Sequence, residues 1–200
     1  MNRKWKNEIK RLGIGQEGLE KLELFQRKLE KWNKVHKITN YGREGIWEQI
    51  LDSIYPFFHW KIEKGVMVDV GTGAGFPGLV VGLVYPQLKV KLVEPLKKRY
   101  SFLSYLKNLT NSSNIQIYPV RVENLSTSQP IDLITSRAVG DYQLLQKLTS
   151  HLWGENTRYL FYKGSKTPPP SFSYSQLNRG KRVYYLSIPI LRGKKEDNKK

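Results

Sequence analysis

The stretch VMVDVGTGAGFPG, residues 66–78, decides the fold class of this chain. Its valines alternate with other residues, which predicts a buried β-strand, and the apolar segment LVVGLV at residues 79–84 predicts a helix. Between the two lies a loop that contains four glycines, Gly71, Gly73, Gly75 and Gly78. Glycine lets the backbone turn sharply and lets a ligand approach the peptide amides. A strand, a glycine-rich loop and a helix in this order therefore predict a pocket for a nucleotide-type cofactor.

After this loop the chain alternates strands with helices. Strands are predicted at residues 89–94, 115–118, 131–136 and 158–162, and helices at residues 96–109 and 141–153. Residues 183–188 are predicted to form an edge strand, and the prolines at residues 168–170 a loop. Because this alternation is typical of a parallel sheet with helices on both faces, we predict an α/β fold.

The segment before the loop has a different pattern. Apolar residues at helical spacing predict two amphipathic helices, with Leu19, Leu22, Phe25, Leu29 and Trp32 in the first and Ile46, Ile50, Leu51, Ile54 and Phe58 in the second. We therefore divide the chain into an N-terminal helical extension at residues 1–60, a cofactor-binding domain at residues 61–191 and a basic, disordered tail at residues 192–200.

The composition restricts both the partner and the chemistry. The net charge is +17, and because such an excess of like charge repels the compact state, it indicates a polyanionic partner such as RNA. The absence of cysteine excludes disulfides and thiolate nucleophiles and is typical of the cytoplasm. The histidines His36, His59 and His151 have no metal-type spacing, so we expect no metal site. No apolar run is long enough to span a bilayer, and we expect no membrane association.

Two cofactor classes fit the glycine loop. Gly73, Gly75 and Gly78 form a GxGxxG pattern that suits NAD, whereas the stretch from Asp69 to the third glycine has the DxGxGxG pattern of S-adenosylmethionine (SAM) methyltransferases. Glu94, at the end of the next strand, would accept hydrogen bonds from ribose hydroxyls in both cases. Context favours SAM, because the roughly 120 residues after the loop leave too little room for a second nucleotide-binding half and a substrate domain.

Further motifs stand in a fixed order along the chain. After the loop come KKR with a downstream FL (residues 97–103), RVEN (residues 121–124), SRAV (residues 136–139) and YKG (residues 162–164). Before the loop lie KWNKVHKIT at residues 31–39 and ILDSI at residues 50–54. Together the motifs resemble the bacterial 16S ribosomal RNA guanine-N7 methyltransferase G family, also called glucose-inhibited division protein B. The resemblance covers residues 19–164.

This resemblance implies a class I, Rossmann-like SAM-dependent methyltransferase. The family transfers the methyl group of SAM to N7 of a guanine in the 530 loop of 16S ribosomal RNA. Guanine N7 already carries a nucleophilic lone pair, so the reaction needs no general base, and the lack of cysteine agrees with this chemistry. The implied partner is 16S ribosomal RNA or the small ribosomal subunit, and we expect a cytoplasmic monomer.

The resemblance also implies roles for single residues. The SAM site would consist of Asp69, Gly71, Gly73, Gly75, Phe76, Glu94, Val122, Glu123 and Arg137. In it, Val122 and Glu123 would contact the adenine. The catalytic residues would be Arg121 and Arg137, which would hold a phosphate or the target nucleotide, because an arginine can bind bidentately and stack on a base. The RNA-binding residues would be Arg121, Arg137, Lys163 and Arg182.

Several alternatives remain open at this point. Arg137 would instead form a salt bridge to a nearby carboxylate, and Asp52 would only fix the N-terminal helices to the core. The chain departs from the family pattern at Lys37, where Asn is usual, and at Gln49, where His is usual. Two other functions are an NAD-dependent oxidoreductase and a catalytically silent RNA-binding protein of the same fold. Cofactor binding tests the first, and transfer of a labelled methyl group tests the second.

Overall fold

A single sheet of seven strands organises the computed structural model, which describes residues 3–137, 142–163 and 173–187. In chain order the strands are β1 (Gly65–Val70), β2 (Leu88–Val93), β3 (Ile115–Tyr118), β4 (Ile131–Ser136), β5 (Trp153–Lys163), β6 (Tyr174–Arg179) and β7 (Arg182–Ser187). In space they follow the order β3-β2-β1-β4-β5-β7-β6. Strands β1 to β5 pair in parallel, whereas β7 runs antiparallel to both β5 and β6. The predicted α/β fold is confirmed.

Helices cover this sheet. Within the described ranges they are α1 (Arg3–Arg11), α2 (Gln16–His36), α3 (Arg43–His59), α4 (Gly78–Val84), α5 (Lys97–Leu109) and α6 (Tyr142–Thr149). The predicted apolar positions of α2 and α3 are buried or half-buried, except that Phe58 is 39% exposed, so the prediction for Phe58 is wrong. None of the described helices has both the length and the apolar character needed to cross a membrane.

The N-terminal helices and the sheet share one hydrophobic core. Phe25 of α2, Trp47 of α3 and Leu92 of β2 belong to the same buried cluster. Helix α4 lies between them, because its apolar residues contact α2 and α3 on one side and β2 on the other. This packing fixes the segment that follows α2 beside the glycine loop that precedes α4.

The order of the strands predicts where a ligand binds. The chain moves outward from β1 to β2 and β3, and then returns to the other side of β1 with β4. The carboxyl ends of β1 and β4 therefore flank a crevice at the point where the strand order reverses, which is the usual ligand position in open α/β sheets.

Three predicted elements differ in the structure. The helix predicted at residues 141–153 ends at Thr149, is followed by a 3₁₀ turn (Ser150–Leu152), and gives way to a strand that is longer than the predicted residues 158–162. Strand β7 is not at the edge, because β6 covers it through a hairpin that turns at Gly180, where φ is +58°. The predicted start of α6 at residue 141, the proline loop and the tail at residues 192–200 lie outside the described residues.

Candidate functional site

The glycine loop turns back across the end of the sheet. Gly71 and Gly73 have φ values of +67° and +61°, in the left-handed region that side chains disfavour. The N–H of Gly71 donates to the carbonyl of Val93 at 2.9 Å, which ties the loop to the end of β2. Gly75 also has a positive φ, of +103°, and a Cβ there would lie 2.9 Å from Cβ of Leu79. The glycines at these positions are thus required by the turn and by close packing.

Asp69 holds the loop from below. It is fully buried at the end of β1, and its Oδ2 accepts the N–H of Gly78 at 2.8 Å. Burial raises the pKa of Asp69 to about 6, although the nearby hydroxyl of Thr72, the hydrogen bond from Gly78 and the charge of Arg137 act in the opposite direction. Its Oδ1 has no hydrogen-bond partner among the described residues. The side chain therefore retains one buried acceptor that the chain itself does not satisfy.

Glu94 connects the loop to the start of α5. Only 2% of this residue is exposed, and its two oxygens accept backbone N–H groups from Gly73 and Leu96, each at 2.9 Å. The guanidinium of Arg99 lies 3.8 Å from Oε2. Each carboxylate oxygen can accept more than one hydrogen bond, so this arrangement leaves acceptor capacity next to the loop.

A cleft of about 600 Å³ opens above the loop. Its lining comes from the segment after α2, the glycine loop, the start of α5 and the ends of β4, β5 and β7, namely Ile38, Thr39, Asn40, Tyr41, Gly71, Thr72, Gly73, Ala74, Phe76, Arg99, Arg137, Tyr162 and Arg182. The cleft thus brings five of the predicted SAM-binding and RNA-binding residues onto one surface, namely Gly71, Gly73, Phe76, Arg137 and Arg182.

Arg137 is fixed against α3 from inside the cleft. Its guanidinium donates to Oε1 of Gln49 and, at 3.3 Å, to the hydroxyl of Ser53, and it lies 3.6 Å from Oδ2 of Asp52. It also lies 5.6 Å from the ring centroid of Phe76. The salt bridge expected as the alternative role of Arg137 is therefore present, and the residue also lines the cleft; its contact with the nucleotide stays a prediction.

Asp52 is the centre of this cluster. It is 1% exposed, and its Oδ1 accepts a hydrogen bond from the hydroxyl of Tyr184 at 2.6 Å and lies 3.7 Å from Nε of Arg182. Tyr162 completes the wall by donating its hydroxyl to the carbonyl of Ser53 at 2.9 Å. Burial raises the pKa of Tyr162, so that its hydroxyl stays a neutral donor. One buried carboxylate on α3 thus lies beside two of the arginines that line the cleft, Arg137 and Arg182.

Three other predicted site residues are not part of the cleft lining. Arg121 and Glu123 are exposed, and Val122 is buried in a second hydrophobic cluster. Lys163 ends β5, and its side chain lies outside the described part of the structure. Arg121 is predicted to act beside Arg137, but it does not line the cleft. Arg182 of β7 lines the cleft with Arg137 instead.

The residues that the sequence prediction missed come mainly from the segment after α2. Asn40 and Tyr41 line the cleft, although no site role is predicted for them. The motif at residues 31–39 is the available signal, because it ends one residue before them. Lys37 caps α2 with φ at +48°, a conformation that Asn adopts more readily than Lys. In the described residues, no group of histidine, aspartate and glutamate side chains could hold a metal ion.

Known proteins resemble this chain over most of its length. Residues 18–176 match the model of the family described as GidB, rRNA small subunit methyltransferase G. The chain is 41% identical over 148 residues to Ribosomal RNA small subunit methyltransferase G of Aliarcobacter butzleri, covering 73% of this chain and 75% of that protein. It is 40% identical over 149 residues to the protein of the same name from Wolinella succinogenes, covering 74% and 76%.

Solved structures agree with the fold. A mutant of MtNAS in complex with S-adenosylmethionine superposes with a TM-score of 0.58 at 14% identity, covering 92% of this chain and 75% of that one. At this level of identity, the similarity concerns the arrangement of strands and helices.

Proposed function

This chain belongs to the rRNA small subunit methyltransferase G family, and on that premise we propose that it transfers the methyl group of SAM to N7 of one guanine in the 530 loop of 16S ribosomal RNA. Membership of a methyltransferase family excludes the NAD-dependent oxidoreductase. The observation that carries the proposal is the cleft, where the backbone of the glycine loop and two arginines, Arg137 and Arg182, share one surface at the carboxyl end of the sheet.

The residues around the loop fit SAM. The unpartnered Oδ1 of Asp69 is a buried acceptor of the kind that an ammonium group satisfies, and the positive φ of Gly71 and Gly73 leaves room for a close approach to the backbone. Glu94 has acceptor capacity left for ribose hydroxyls. Val122 and Glu123 follow β3 but do not line the cleft, so their contact with the adenine stays a prediction. Bound SAM supplies a methyl group that its positively charged sulfur makes electrophilic.

Methylation of N7 needs no general base in the cleft. The lone pair of N7 attacks without prior loss of a proton, and the described residues that line the cleft include no histidine, aspartate or glutamate. Most of the rate enhancement would then come from the alignment of N7 with the methyl carbon. In favourable cases, proximity and orientation lower the activation barrier by roughly 7 to 11 kcal/mol.

The arginines bind the nucleic acid in this scheme. Attack by a neutral nitrogen moves positive charge onto the purine, so a guanidinium directly beside N7 would oppose the reaction. We therefore assign Arg137 and Arg182 to the phosphates that flank the target guanine, which a guanidinium can bind bidentately. Asp52 and Gln49 act through them as positioning residues, because they orient the Arg137 guanidinium. Arg121 would contact RNA further from the cleft, and Lys163, which ends β5, would also contact RNA.

Mapping of methylated guanines by mass spectrometry tests the proposal. We expect 16S ribosomal RNA from cells that lack this protein to have lost one N7-methylguanine, in the 530 loop. Purified protein with labelled SAM should restore it in vitro. An unchanged methylation pattern, or a restored methyl group on another atom, would contradict the proposal, and absence of any transfer would favour the catalytically silent alternative.

Substitution of Arg137 tests the assignment of the arginines. Arg137→Ala should reduce methyl transfer at least about 100-fold while SAM affinity measured by calorimetry changes less than about threefold, because a phosphate contact to a charged group is lost. Arg137→Lys keeps a positive charge beside Asp52 but loses the planar guanidinium. It should therefore be more thermally stable than Arg137→Ala and recover only part of the activity. Full activity in Arg137→Ala would remove this residue from the site.

A further inference from the structure

A second groove lies outside the cleft, between the C-terminal half of α2 and the middle of α5. Its volume is about 350 Å³, and its lining consists of Lys28, Lys31, Trp32, Val35, His36 and Tyr105. We call it the aromatic groove. Nothing in the proposed transfer reaction uses these side chains, so their arrangement requires a separate explanation.

The groove exposes aromatic and apolar surface to solvent. The rings of Trp32 and Tyr105 stack at 5.8 Å between centroids with an interplanar angle of 25°, and His36 lies 4.8 Å from Trp32. Tyr105 is 38% exposed, and Val35 is 76% exposed. Core packing does not account for a tyrosine and a valine left open to water beside these rings, whereas a planar, apolar ligand would cover them.

The charge around the groove selects an anion. Lys28 places its Nζ 5.6 Å from the ring centroid of Tyr105, and Lys31 is exposed at the rim. Among the residues that the structure describes, no acidic side chain lines the groove. Helix α5 itself carries Lys97, Lys98, Arg99 and Lys107 and no acidic residue. A ligand that combines flat rings with negative charge is a nucleotide, and aromatic rings interleaved with lysines are the usual platform for an unpaired one.

The groove lies next to the cleft at the end of α2. The fully buried rings of Phe102 and Phe25 fill the core between Trp32 of the groove and Phe76 of the cleft wall. Along the chain, α2 ends at His36, and Ile38 already lines the cleft. A strand of RNA seated in the cleft therefore reaches the aromatic groove by following the end of α2.

We propose that the aromatic groove binds an unpaired nucleotide of the ribosomal RNA substrate, separate from the guanine that is methylated. The inference rests on the proposed function for the identity of the RNA. In the bound state the base stacks against the Tyr105 and Trp32 rings, and Lys28 and Lys31 move to the neighbouring phosphates. The groove thus gives the enzyme a preference for RNA whose bases are not all paired.

Binding of two RNA probes tests this proposal. One is a hairpin that carries the 530 loop sequence, and the other is a fully paired duplex of the same length. Tyr105→Ala should raise the Kd for the hairpin about tenfold and leave the Kd for the duplex and for SAM unchanged, because the loss of one stacking platform affects only unpaired bases. Tyr105→Phe, which keeps the ring, should bind like the wild type. Leu144→Ala, which truncates an exposed apolar side chain on α6, is the matched control.

The lysines give an independent measurement that does not depend on packing. The double variant Lys28→Ala with Lys31→Ala removes two phosphate contacts and should lower the slope of log Kd against log salt for the hairpin by about 1.4, about 0.7 for each contact to a single strand. Lys6→Ala with Lys10→Ala removes the same charge from exposed positions on α1, and we expect a smaller change. In steady-state transfer, Tyr105→Ala should raise KM for RNA and leave kcat unchanged at saturating RNA.

Several results would overturn the inference. One is that Tyr105→Ala binds the hairpin with wild-type affinity, and another is that it binds the hairpin and the duplex equally more weakly. A third is that Tyr105→Ala is defective only with intact ribosomal subunits, which would identify a protein partner in the groove. Failure of the proposed function is distinguishable from these, because it would appear as no methyl transfer by the wild type while the binding measurements remain readable.

Discussion

Asp69 is a buried carboxylate that should make both the stability of the protein and its affinity for the cofactor depend on pH. In the free protein, burial raises its pKa to about 6 from an ordinary value of 3.8, so the folded state holds the proton more tightly than the unfolded state does. This contribution to the free energy of unfolding is therefore present below about pH 4 and is lost as the pH rises through about 6. An ammonium group beside Oδ1 would reverse the balance by favouring the ionised form.

SAM affinity should consequently depend on pH through Asp69. We expect the affinity, measured by calorimetry, to fall up to about tenfold for each pH unit below 6, because the carboxyl must first lose its proton to hold the ammonium group. Asp69→Asn keeps an acceptor for the N–H of Gly78 and should bind SAM weakly with little change between pH 5 and pH 7. The same fall in Asp69→Asn would show that another group titrates.

Gln49 illustrates a residue whose importance the family pattern concealed. It appears in the sequence only as a departure from the usual His, yet it is buried and accepts a hydrogen bond from Arg137. A neutral imidazole also offers one acceptor nitrogen, so both side chains can hold the same guanidinium. The sequence could not reveal this pairing, because the two residues are 88 positions apart.

Two substitutions of Gln49 should therefore behave differently. Gln49→Leu leaves the Arg137 donor without this acceptor and should lower methyl transfer about tenfold, with SAM affinity unchanged. Gln49→His should keep transfer near pH 8 and lose it below about pH 6, since a protonated imidazole is a donor only and repels the arginine. Transfer by Gln49→Leu at the wild-type rate would show that Asp52 and Ser53 suffice to orient Arg137.

At the scale of elements, the start of α4 is packed against the end of β1 without space for a side chain. A Cβ on Gly78 would lie 2.4 Å from Cδ2 of Leu92 and 2.5 Å from Oδ2 of Asp69. The glycine is thus needed for a close approach of helix and strand, which agrees with its place at the end of the DVGTGAGFPG motif.

Gly78→Ala should accordingly disturb both stability and cofactor binding. We expect the free energy of unfolding, measured with urea, to fall by about 2 kcal/mol, because overpacking moves Leu92 and the Asp69 carboxylate. Gly15→Ala is the control, since a Cβ there meets nothing within 4 Å and should change stability by less than about 1 kcal/mol. Equal losses in the two variants would contradict the role assigned to the close approach, because the higher helix propensity of alanine would favour Gly78→Ala.

Elements with a strong apolar pattern were predictable from the sequence, and elements without one were not. Strands β3 and β4 have the predicted bounds, because their residues alternate or run apolar between clear turn signals. Strand β6 was missed, since YSQLNR offers one aliphatic side chain and covers only the outer edge of the sheet. In the site, the loop follows from its glycines, whereas the joining of Asp52 to Arg182 depends on tertiary packing that no local pattern encodes.

At the scale of the whole molecule, the net charge of +17 should appear in RNA binding and not in cofactor binding. Each phosphate neutralised releases counterions, so affinity for a 530 loop hairpin should fall at least about tenfold between about 50 and 200 mM salt. SAM affinity should change little over the same range, because its partners are buried beside the loop. Salt-independent RNA binding would indicate that the surface charge serves another purpose.

The hydrogen bond from Tyr184 to Asp52 joins residues that are 132 positions apart. A growing polypeptide can form the glycine loop once β2 has paired with β1, long before the ribosome has made β7. The cluster around Asp52 and Arg137, by contrast, lacks Arg182 and Tyr184 until translation reaches the final hairpin. A chain that ends before β7 would keep the glycine loop and Arg137 but lose Arg182 and the hydroxyl that holds Asp52, so the last strand to be translated completes the orientation of the RNA-binding arginines.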